Sequence, residues 1–275
     1  MKQFKVGIQL YSVKEAMAKD FEGTLAAIKD MGYEYVEFAG YYGRTAEQIK
    51  ETLDRLGLKC ISVHQGIEFF DEKPDEAAEF LKTFGVKYVV LPWYPKDRLA
   101  GSPDWDASVA HMNRVSDVLK KHGMVLGYHN HEFEFETLDG KYLHDYLFEA
   151  VADMVPELDT CWVHYAGINP ADKIREFSGK VEIIHLKDFV ANRLNGGPAY
   201  ALIDADGNPI KTTREDNGFA FRPLGQGRQD FKSILEACEE AGTEVVIVEQ
   251  DAPYNGTELE NAKDSIDYLK SAFGL

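Results

Sequence analysis

Five times along the chain, an amphipathic stretch ends at a glycine and a short apolar run follows directly. The glycines are Gly32, Gly57, Gly85, Gly123 and Gly242. Glycine adopts the left-handed conformation after a helix without a steric penalty, so each of them marks a helix end. Helices that alternate with short apolar strands predict a parallel sheet covered on both faces.

Three further apolar runs, at residues 6–10, 155–159 and 181–186, raise the number of predicted strands to eight. Eight repeats in 275 residues favour closure into an α/β fold of the (β/α)8 TIM barrel type. No GxGxxG or Walker fingerprint follows the first strand, which weakens the alternative of an open nucleotide-binding sheet. We therefore expect one barrel domain over residues 1–275.

One segment interrupts this rhythm after the seventh predicted strand. Residues 190–227 contain several glycines, prolines and asparagines and no clear helix or strand pattern. Loops longer than about 15 residues in a compact domain are often lids or binding loops. The segment is therefore predicted to be a long loop that acts as a lid over the substrate.

The charge balance excludes some classes of partner. With 30 Lys and Arg against 47 Asp and Glu, the net charge is −17, which is unsuited to gripping nucleic-acid phosphates. No apolar run approaches the ~20 residues of a membrane span, and no signal peptide is recognised. The three cysteines, Cys60, Cys161 and Cys238, form no CxxC pair, which indicates a reducing compartment. We expect a cytoplasmic protein with neither a nucleic-acid nor a membrane partner.

Polar groups are concentrated where the fifth predicted strand ends. Residues 128–136 hold two histidines, an asparagine and three glutamates, interleaved with aromatic residues. Burying such groups without partners costs several kcal/mol each, so they must face water, each other or a cation. Active sites of α/β barrels lie at the carboxyl ends of the strands. This stretch therefore predicts the position of the active site.

The ends of predicted strands five to eight supply carboxylates and imidazoles together. Oxygen-rich ligand sets with an imidazole suit Mn²⁺, Mg²⁺ or Co²⁺, whereas a structural zinc site would favour cysteine. The residues at these ends are Glu132 and Glu134 with His129 and His131, then Asp159, His185 and Glu249. Each of these carboxylates alone could be a helix cap or a solvated charge, so the prediction of a metal site depends on their convergence.

Other strand ends carry candidates for substrate binding. His64 could bind a sugar hydroxyl or be a hydrogen-bonded residue of the barrel mouth, and Trp93 offers a flat face for a sugar ring. Glu37, with Gln9, is a supporting candidate. Lys187 could stabilise an oxyanion or a substrate phosphate, or it could form a salt bridge with Asp188.

Several motifs together resemble the xylose isomerase-like TIM barrel family, and most closely its sugar phosphate isomerase/epimerase branch. They are Gly-Tyr-His-Asn-His-x-Phe-Glu (127–134), Leu-Asp-Thr (158–160) followed by Trp162, Ile-His-Leu-Lys-Asp (184–188), Val-Glu-Gln-Asp (248–251) and Pro-Leu-Gly-Gln-Gly (223–227). The resemblance implies one divalent metal, Mn²⁺, Mg²⁺ or Co²⁺ with Zn²⁺ as an alternative. It also implies four metal ligands: Glu134, Asp159, His185 and Glu249. Some relatives carry the first glutamate inside the strand, so Glu132 or His131 stays open as that ligand, and His131 is otherwise a substrate-binding candidate.

The implied chemistry is proton transfer next to a carbonyl. A metal chelated by a ketone and a neighbouring hydroxyl acidifies the C–H bond between them, and Glu134 and Glu249 could remove and return that proton. We therefore expect an isomerase or epimerase of a small carbohydrate or polyol, with Lys187 assisting and a homo-oligomer compatible with the sequence. The first alternative is a lyase or dehydratase of a keto-inositol or 3-keto-sugar. A metal-dependent endonuclease and a non-catalytic sugar-binding barrel are further alternatives.

Overall fold

Eight parallel strands close into a barrel in a computed structural model that describes residues 2–195 and 217–275. Each strand pairs with its neighbours in chain order, and the last strand pairs with the first. The strands are β1 (Lys5–Gln9), β2 (Tyr35–Phe38), β3 (Lys59–His64), β4 (Tyr88–Leu91), β5 (Val125–His129), β6 (Val155–Asp159), β7 (Ile183–Leu186) and β8 (Val245–Val248). The predicted (β/α)8 barrel is confirmed.

Helices surround the barrel on its outer side. In the described residues they are α1 (Lys14–Lys19), α2 (Phe21–Met31), α3 (Ala46–Leu56), α4 (Pro74–Thr83), α5 (Trp105–Lys121), α6 (Leu143–Ala150), α7 (Thr160–Tyr165), α8 (Pro170–Glu176), α9 (Phe231–Ala241) and α10 (Glu258–Phe273). All five glycines predicted to end helices have positive φ angles, between 67° and 104°. The largest apolar core lies between these helices and the strands.

A second, smaller apolar cluster fills the barrel interior. It contains Ile61, Tyr88, Val90, Ile183, Val245 and Ile247. Residues two positions further along these strands point into the same interior because side chains alternate along a strand. On β7 the residue after Ile183 on this face is His185, and on β8 the residue after Ile247 is Glu249. The apolar plug is therefore followed by polar side chains at the carboxyl ends of the strands.

The segment after β7 is described only at its two ends. Asp188–Val190 pairs antiparallel with Ala220–Arg222, so the start and the end of the predicted loop 190–227 lie side by side. The middle of the predicted lid, residues 196–216, lies outside the described residues.

Two findings concern the expectations about membrane spans and cysteines. In the described residues no helix is both long and apolar enough to cross a bilayer. Cys60, Cys161 and Cys238 are all buried free thiols.

Candidate metal centre and active site

Four side chains from β5 to β8 meet at the carboxyl end of the barrel. Cross-strand pairing places His129 beside Glu157 and Asp159 beside His185, and Glu249 follows β8 directly. One potential ligand atom from each of His129, Asp159, His185 and Glu249 lies within 4.8 Å of the other three. We call these four residues the metal cluster.

The distances within the metal cluster are those of a compact polar centre. His129 Nε2 lies 3.3 Å from Asp159 Oδ2 and 3.6 Å from Glu249 Oε2, and His185 Nδ1 lies 3.0 Å from the same Glu249 oxygen. Asp159 uses its other oxygen to accept hydrogen bonds from the backbone N–H groups of Cys161 and Trp162 at the start of α7. The Asp159 carboxylate thus caps a helix and faces the cluster at once.

Several polar atoms of the cluster are buried without a satisfying partner. Among the described residues, both ring nitrogens of His129 and Oδ2 of Asp159 are inaccessible to solvent and make no hydrogen bond of normal geometry. Buried polar atoms are costly when unpaired, and carboxylate oxygens with imidazole nitrogens are ligands for Mn²⁺, Co²⁺, Zn²⁺ and Mg²⁺. The residues present therefore fit a divalent cation.

The ionisable groups of the cluster shift one another strongly. Burial alone lowers the pKa of His129, but its interactions with Asp159 and Glu249 outweigh burial and raise the pKa to about 9. Burial raises the pKa of Glu249, whereas the charges of Lys187 and His185 lower it, and the pKa ends well below its usual range. In the metal cluster, carboxylate oxygens therefore lie next to imidazole nitrogens, and each kind of group shifts the pKa of the other.

Lys187 places a cation next to the metal cluster. Its side chain is buried, and Nζ lies 2.9 Å from Glu249 Oε2, 2.6 Å from Asp251 Oδ1 and 3.5 Å from Asp159 Oδ2. The salt bridge to Asp188 that the sequence left open is not formed. The Asp188 oxygens instead accept the backbone N–H groups of residues 189, 225, 227 and 229. Lys187 Nζ therefore points towards the metal cluster.

A second layer of buried polar groups lies next to the cluster. His64 Nε2 lies 2.7 Å from Glu157 Oε2, and Glu37 Oε1 accepts a hydrogen bond from Gln9 Nε2 at 2.6 Å and lies 2.8 Å from His185 Nε2. His64, His129, Glu157 and His185 form a second set that could hold a metal. Burial lowers the pKa of His185, but the charges of Glu157 and Glu37 raise it well above its usual value.

Glu134 does not join the metal cluster. Its carboxylate is fully buried and accepts hydrogen bonds from Tyr128 Oη at 2.7 Å and from the His131 backbone N–H at 2.8 Å. The strand ends at His129, and Phe133–Phe135 form a 3-10 turn, so the predicted strand alternation does not continue to Glu134. Burial raises the pKa of Glu134 to about 7 against the effect of these hydrogen bonds.

A cavity of about 930 Å³ opens above the cluster. Of the residues predicted for catalysis or substrate binding, Glu249, Lys187, His64, His131 and Trp93 line it. The remaining two do not: Glu134 holds the turn after β5, and Glu37 lies in the buried layer beneath. Of the four predicted metal ligands, the structure brings together Asp159, His185 and Glu249, with His129 in the fourth position.

Two residues that the structure places at the centre were not among the four metal ligands implied by the resemblance. His129 was named among the polar residues at the end of the fifth predicted strand, but Glu134 was taken as the ligand there. Glu157 lies two residues before Asp159 on β6, and strand alternation places both on the interior face. That spacing could have identified Glu157.

Two curated proteins with sequences similar to this chain are inosose dehydratases. The chain is 26% identical over 285 residues to an inosose dehydratase of Geobacillus thermodenitrificans, covering 93% of this chain and 90% of the relative. It is 22% identical to an inosose dehydratase of Clostridium perfringens strain 13, covering 93% and 91%.

Solved structures share the same fold. A sugar phosphate isomerase/epimerase from Parabacteroides distasonis superposes with a TM-score of 0.78 at 21% identity, covering 99% of this chain and 96% of that one. The IolI protein, whose crystal structure holds a zinc atom, superposes with a TM-score of 0.71 at 20% identity over 98% and 100% of the two chains. The family model of the xylose isomerase-like TIM barrel matches residues 25–272. The chain therefore belongs to the xylose isomerase-like TIM barrel family.

Proposed function

We propose that this chain is a divalent-metal-dependent dehydratase or lyase. It would remove the proton next to the ketone of a cyclic keto-polyol or keto-sugar and expel the β-oxygen substituent. The observation that carries this choice is that only one of the two glutamates predicted as bases, Glu249, lines the cavity. The curated inosose dehydratases, matched over 93% of the chain, support the same reaction class.

The metal would be held by His129, Asp159, His185 and Glu249. When bound, such a cation polarises a ketone oxygen and makes the neighbouring C–H bond more acidic. The ring nitrogens of His129 and Oδ2 of Asp159 are buried and make no hydrogen bond within the described residues, which supports this assignment. Mn²⁺, Mg²⁺ and Co²⁺ remain the expected ions, with Zn²⁺ as an alternative.

Two side chains would handle the protons of the elimination. The Glu249 carboxylate lines the cavity and, as the base, would accept the proton from carbon. Lys187 Nζ lies 2.9 Å from Glu249 Oε2 and carries N–H groups that can donate to the departing oxygen. An elimination needs a base at the carbon that loses its proton and an acid at the oxygen that leaves the neighbouring carbon. Glu249 and Lys187 would supply these two groups.

An isomerase or epimerase is the second candidate. It requires a second group that returns the proton at another face or carbon, and the sequence assigned that role to Glu134. Glu134 does not line the cavity, whereas Glu132 does. In an isomerase or epimerase, Glu132 would therefore be the second group that returns the proton.

The two reactions are separated by product analysis in D₂O. A keto-inositol and a 3-keto-sugar are incubated with Mn²⁺-loaded protein and followed by mass spectrometry and NMR. Elimination gives an unsaturated ketone lighter by one water, whereas epimerisation gives deuterium at carbon without loss of water. Glu249→Gln is expected to lower turnover by about 10²-fold or more, with Glu134→Gln as the matched control that retains most of it. Deuterated substrate without any unsaturated product would favour the isomerase.

A further inference from the structure

Four strands bring polar side chains into the barrel interior next to the metal cluster. β1, β2 and β3 contribute Gln9, Glu37 and His64, and β6 contributes Glu157. We call these four residues the buried layer. Three of them are fully buried, and His64 is almost so. Because β1 to β3 supply no member of the metal cluster, and buried polar groups are costly without a purpose, these side chains need an explanation of their own.

His185 connects the buried layer to the metal cluster through its two ring nitrogens. Nδ1 lies 3.0 Å from Glu249 Oε2, within the metal cluster. Nε2 lies 2.8 Å from Glu37 Oε1 and 3.2 Å from Glu157 Oε2, within the buried layer. A carboxylate accepts hydrogen bonds and donates none, so Nε2 carries a proton and donates it here. The lone pair that a neutral imidazole offers to a cation is then on Nδ1.

The two carboxylates at Nε2 are themselves held in place. Glu37 Oε1 also accepts a hydrogen bond from Gln9 Nε2 at 2.6 Å. Glu157 Oε2 lies 2.7 Å from Nε2 of His64, and the His64 ring lies nearly parallel to that of His185 with centroids 5.2 Å apart. A hydrogen bond at the outer nitrogen fixes the tautomer and the ring orientation of a metal-binding histidine. The buried layer therefore restricts both for His185.

A second cation in the buried layer is the competing interpretation. A second set of possible metal ligands lies in this region: His64, His129, Glu157 and His185. A cation there would take Nε2 of His185, while the metal cluster uses Nδ1 of the same ring. An imidazole that binds cations through both nitrogens must lose both ring protons, although the neutral ring keeps one. The two carboxylates around Nε2 favour a proton at this position and a single cation at the metal cluster.

We propose that Glu37 and Glu157 are positioning residues for metal binding, which hold Nε2 of His185 so that the divalent cation is bound through Nδ1. This inference rests on the metal ligands of the proposed function and not on the reaction. Glu157 is the more informative of the two residues, because its carboxylate contacts the rings of both His64 and His185.

The first test measures the affinity for Zn²⁺ by competition with a chelator, and the number of bound ions by elemental analysis. Glu157→Leu removes the acceptor and keeps a side chain of similar size. It is expected to weaken Zn²⁺ binding by about 10–100-fold, the usual effect of losing a partner of a metal-binding histidine. Glu157→Gln keeps an oxygen that can accept the Nε2 proton and should recover most of the affinity. All these proteins should bind a single ion at saturation.

Two further variants separate positioning from a loss of stability. Tyr33→Phe is the matched control: the buried Tyr33 hydroxyl donates a hydrogen bond to Ala262 O at 2.8 Å, at the amino end of β2 and remote from the metal cluster. Its loss should leave the Zn²⁺ affinity unchanged. Glu37→Leu removes the other acceptor of Nε2 and should weaken Zn²⁺ binding, which keeps the proposal testable if Glu157→Leu does not fold.

The second test identifies the nitrogen that binds the ion. In Zn²⁺-loaded protein with isotope-labelled histidine, NMR is expected to show the ion on Nδ1 of His185 and the proton on Nε2. Coordination through Nε2, or wild-type affinity in both leucine variants, would overturn the inference while leaving the proposed function standing. Two ions in the wild type and one in Glu157→Leu would also overturn it, because Glu157 would then be a ligand. If the metal results are as expected but no keto-sugar is turned over, only the proposed reaction fails.

Discussion

The Asp159 carboxylate stabilises a helix start with one oxygen and faces the metal cluster with the other. Oδ1 accepts two backbone N–H groups at the start of α7, and Oδ2 faces His129 at 3.3 Å. The cap fixes the side-chain rotamer, so Oδ2 is held towards the cluster. The sequence alone allowed a helix cap or a metal ligand as alternatives. The structure shows the cap and places the other oxygen in the metal cluster.

The structure places His129 in the metal cluster, whereas the resemblance implies Glu134 as the metal ligand from this part of the chain. We expect His129→Ala to lose the bound divalent metal, because both ring nitrogens lie unsatisfied in the cluster. Glu134→Gln should keep about one metal per chain, because Glu134 hydrogen-bonds Tyr128 and the backbone of His131. Elemental analysis after loading and gel filtration measures both.

His185→Ala is the positive control for loss of metal. A metal-free Glu134→Gln together with a fully loaded His129→Ala would show that the turn after β5 rearranges on metal binding and that the ligand implied by the resemblance is the real one.

The position of Glu134 could not be derived from the sequence for a specific physical reason. Strand alternation applies only while the backbone is extended, and here it ends at His129. The 3-10 turn at Phe133–Phe135 then rotates Glu134 into the protein. Asp159, His185 and Glu249, by contrast, lie in or directly after strands, where alternation still holds, and the structure brings these three residues together.

At the scale of elements, His122 joins the end of α5 to α4. Its Nε2 lies 2.9 Å from Asp75 Oδ1 and its Nδ1 2.8 Å from Glu79 Oε1. The hydrogen bond to Asp75 raises the pKa of His122 above its ordinary value, with Glu79 adding to the effect. A raised folded-state pKa means that the stabilisation is complete below about pH 6.5 and is lost as the pH rises through the folded-state pKa.

We therefore expect His122→Gln to destabilise the protein more at about pH 6 than at about pH 9, by roughly 0.2–1 kcal/mol as for other exposed pairs. Urea unfolding at both pH values measures this. In an Asp75→Asn/Glu79→Gln background the same substitution should have no pH-dependent effect. A larger cost at the higher pH would contradict the interpretation.

Asp188 organises the loop that returns to the barrel before α9. Its two oxygens accept the backbone N–H groups of residues 189, 225, 227 and 229. A Cβ at Gly227 would lie 2.2 Å from Asp188 Oδ1 and 2.5 Å from Phe189 O, so only glycine fits there. This explains the second glycine of the Pro-Leu-Gly-Gln-Gly motif.

Gly227→Ala is expected to lower the free energy of unfolding by roughly 1–3 kcal/mol, the cost of overpacking, as measured by urea denaturation. Asp188→Ala should have a cost of about the same size because it leaves N–H groups without an acceptor. The double variant should lose less stability than the two single variants lose together, because the Asp188 carboxylate that clashes with the new Cβ is then absent. Full additivity would show that the clash with Phe189 O alone decides the effect.

The elements themselves were largely readable from the sequence. The five helix-ending glycines and the eight apolar runs located every barrel strand, because both signals depend on local backbone sterics and alternation. The antiparallel pairing of Asp188–Val190 with Ala220–Arg222 was not predicted. It joins segments about 30 residues apart, and neither run is long enough to stand out by composition.

At the scale of the whole molecule, negative charge is concentrated both over the chain and inside the barrel. The net charge is −17, and Glu37, Glu157, Asp159 and Glu249 are all buried at the carboxyl ends of the strands. Lys187 and the histidines offset part of this charge. A divalent cation at the cluster would offset more of it, so metal binding and stability of the barrel should be coupled.

We expect the melting temperature to be higher with Mn²⁺ than with a chelator. A cation that binds only the folded state at about 100 times its Kd adds ~2.7 kcal/mol, which corresponds to roughly 5–10 °C for a chain of this size. Differential scanning calorimetry of wild type, His185→Ala and Asp54→Asn measures this. His185→Ala should lose the shift because a ligand is missing. Asp54→Asn removes an exposed carboxylate on α3 and should keep the shift, since the effect arises in the barrel and not from cations spread over the acidic surface. Equal shifts in all three proteins would mean that the cation stabilises by screening surface charge, and the metal cluster would then have no part in holding the barrel together.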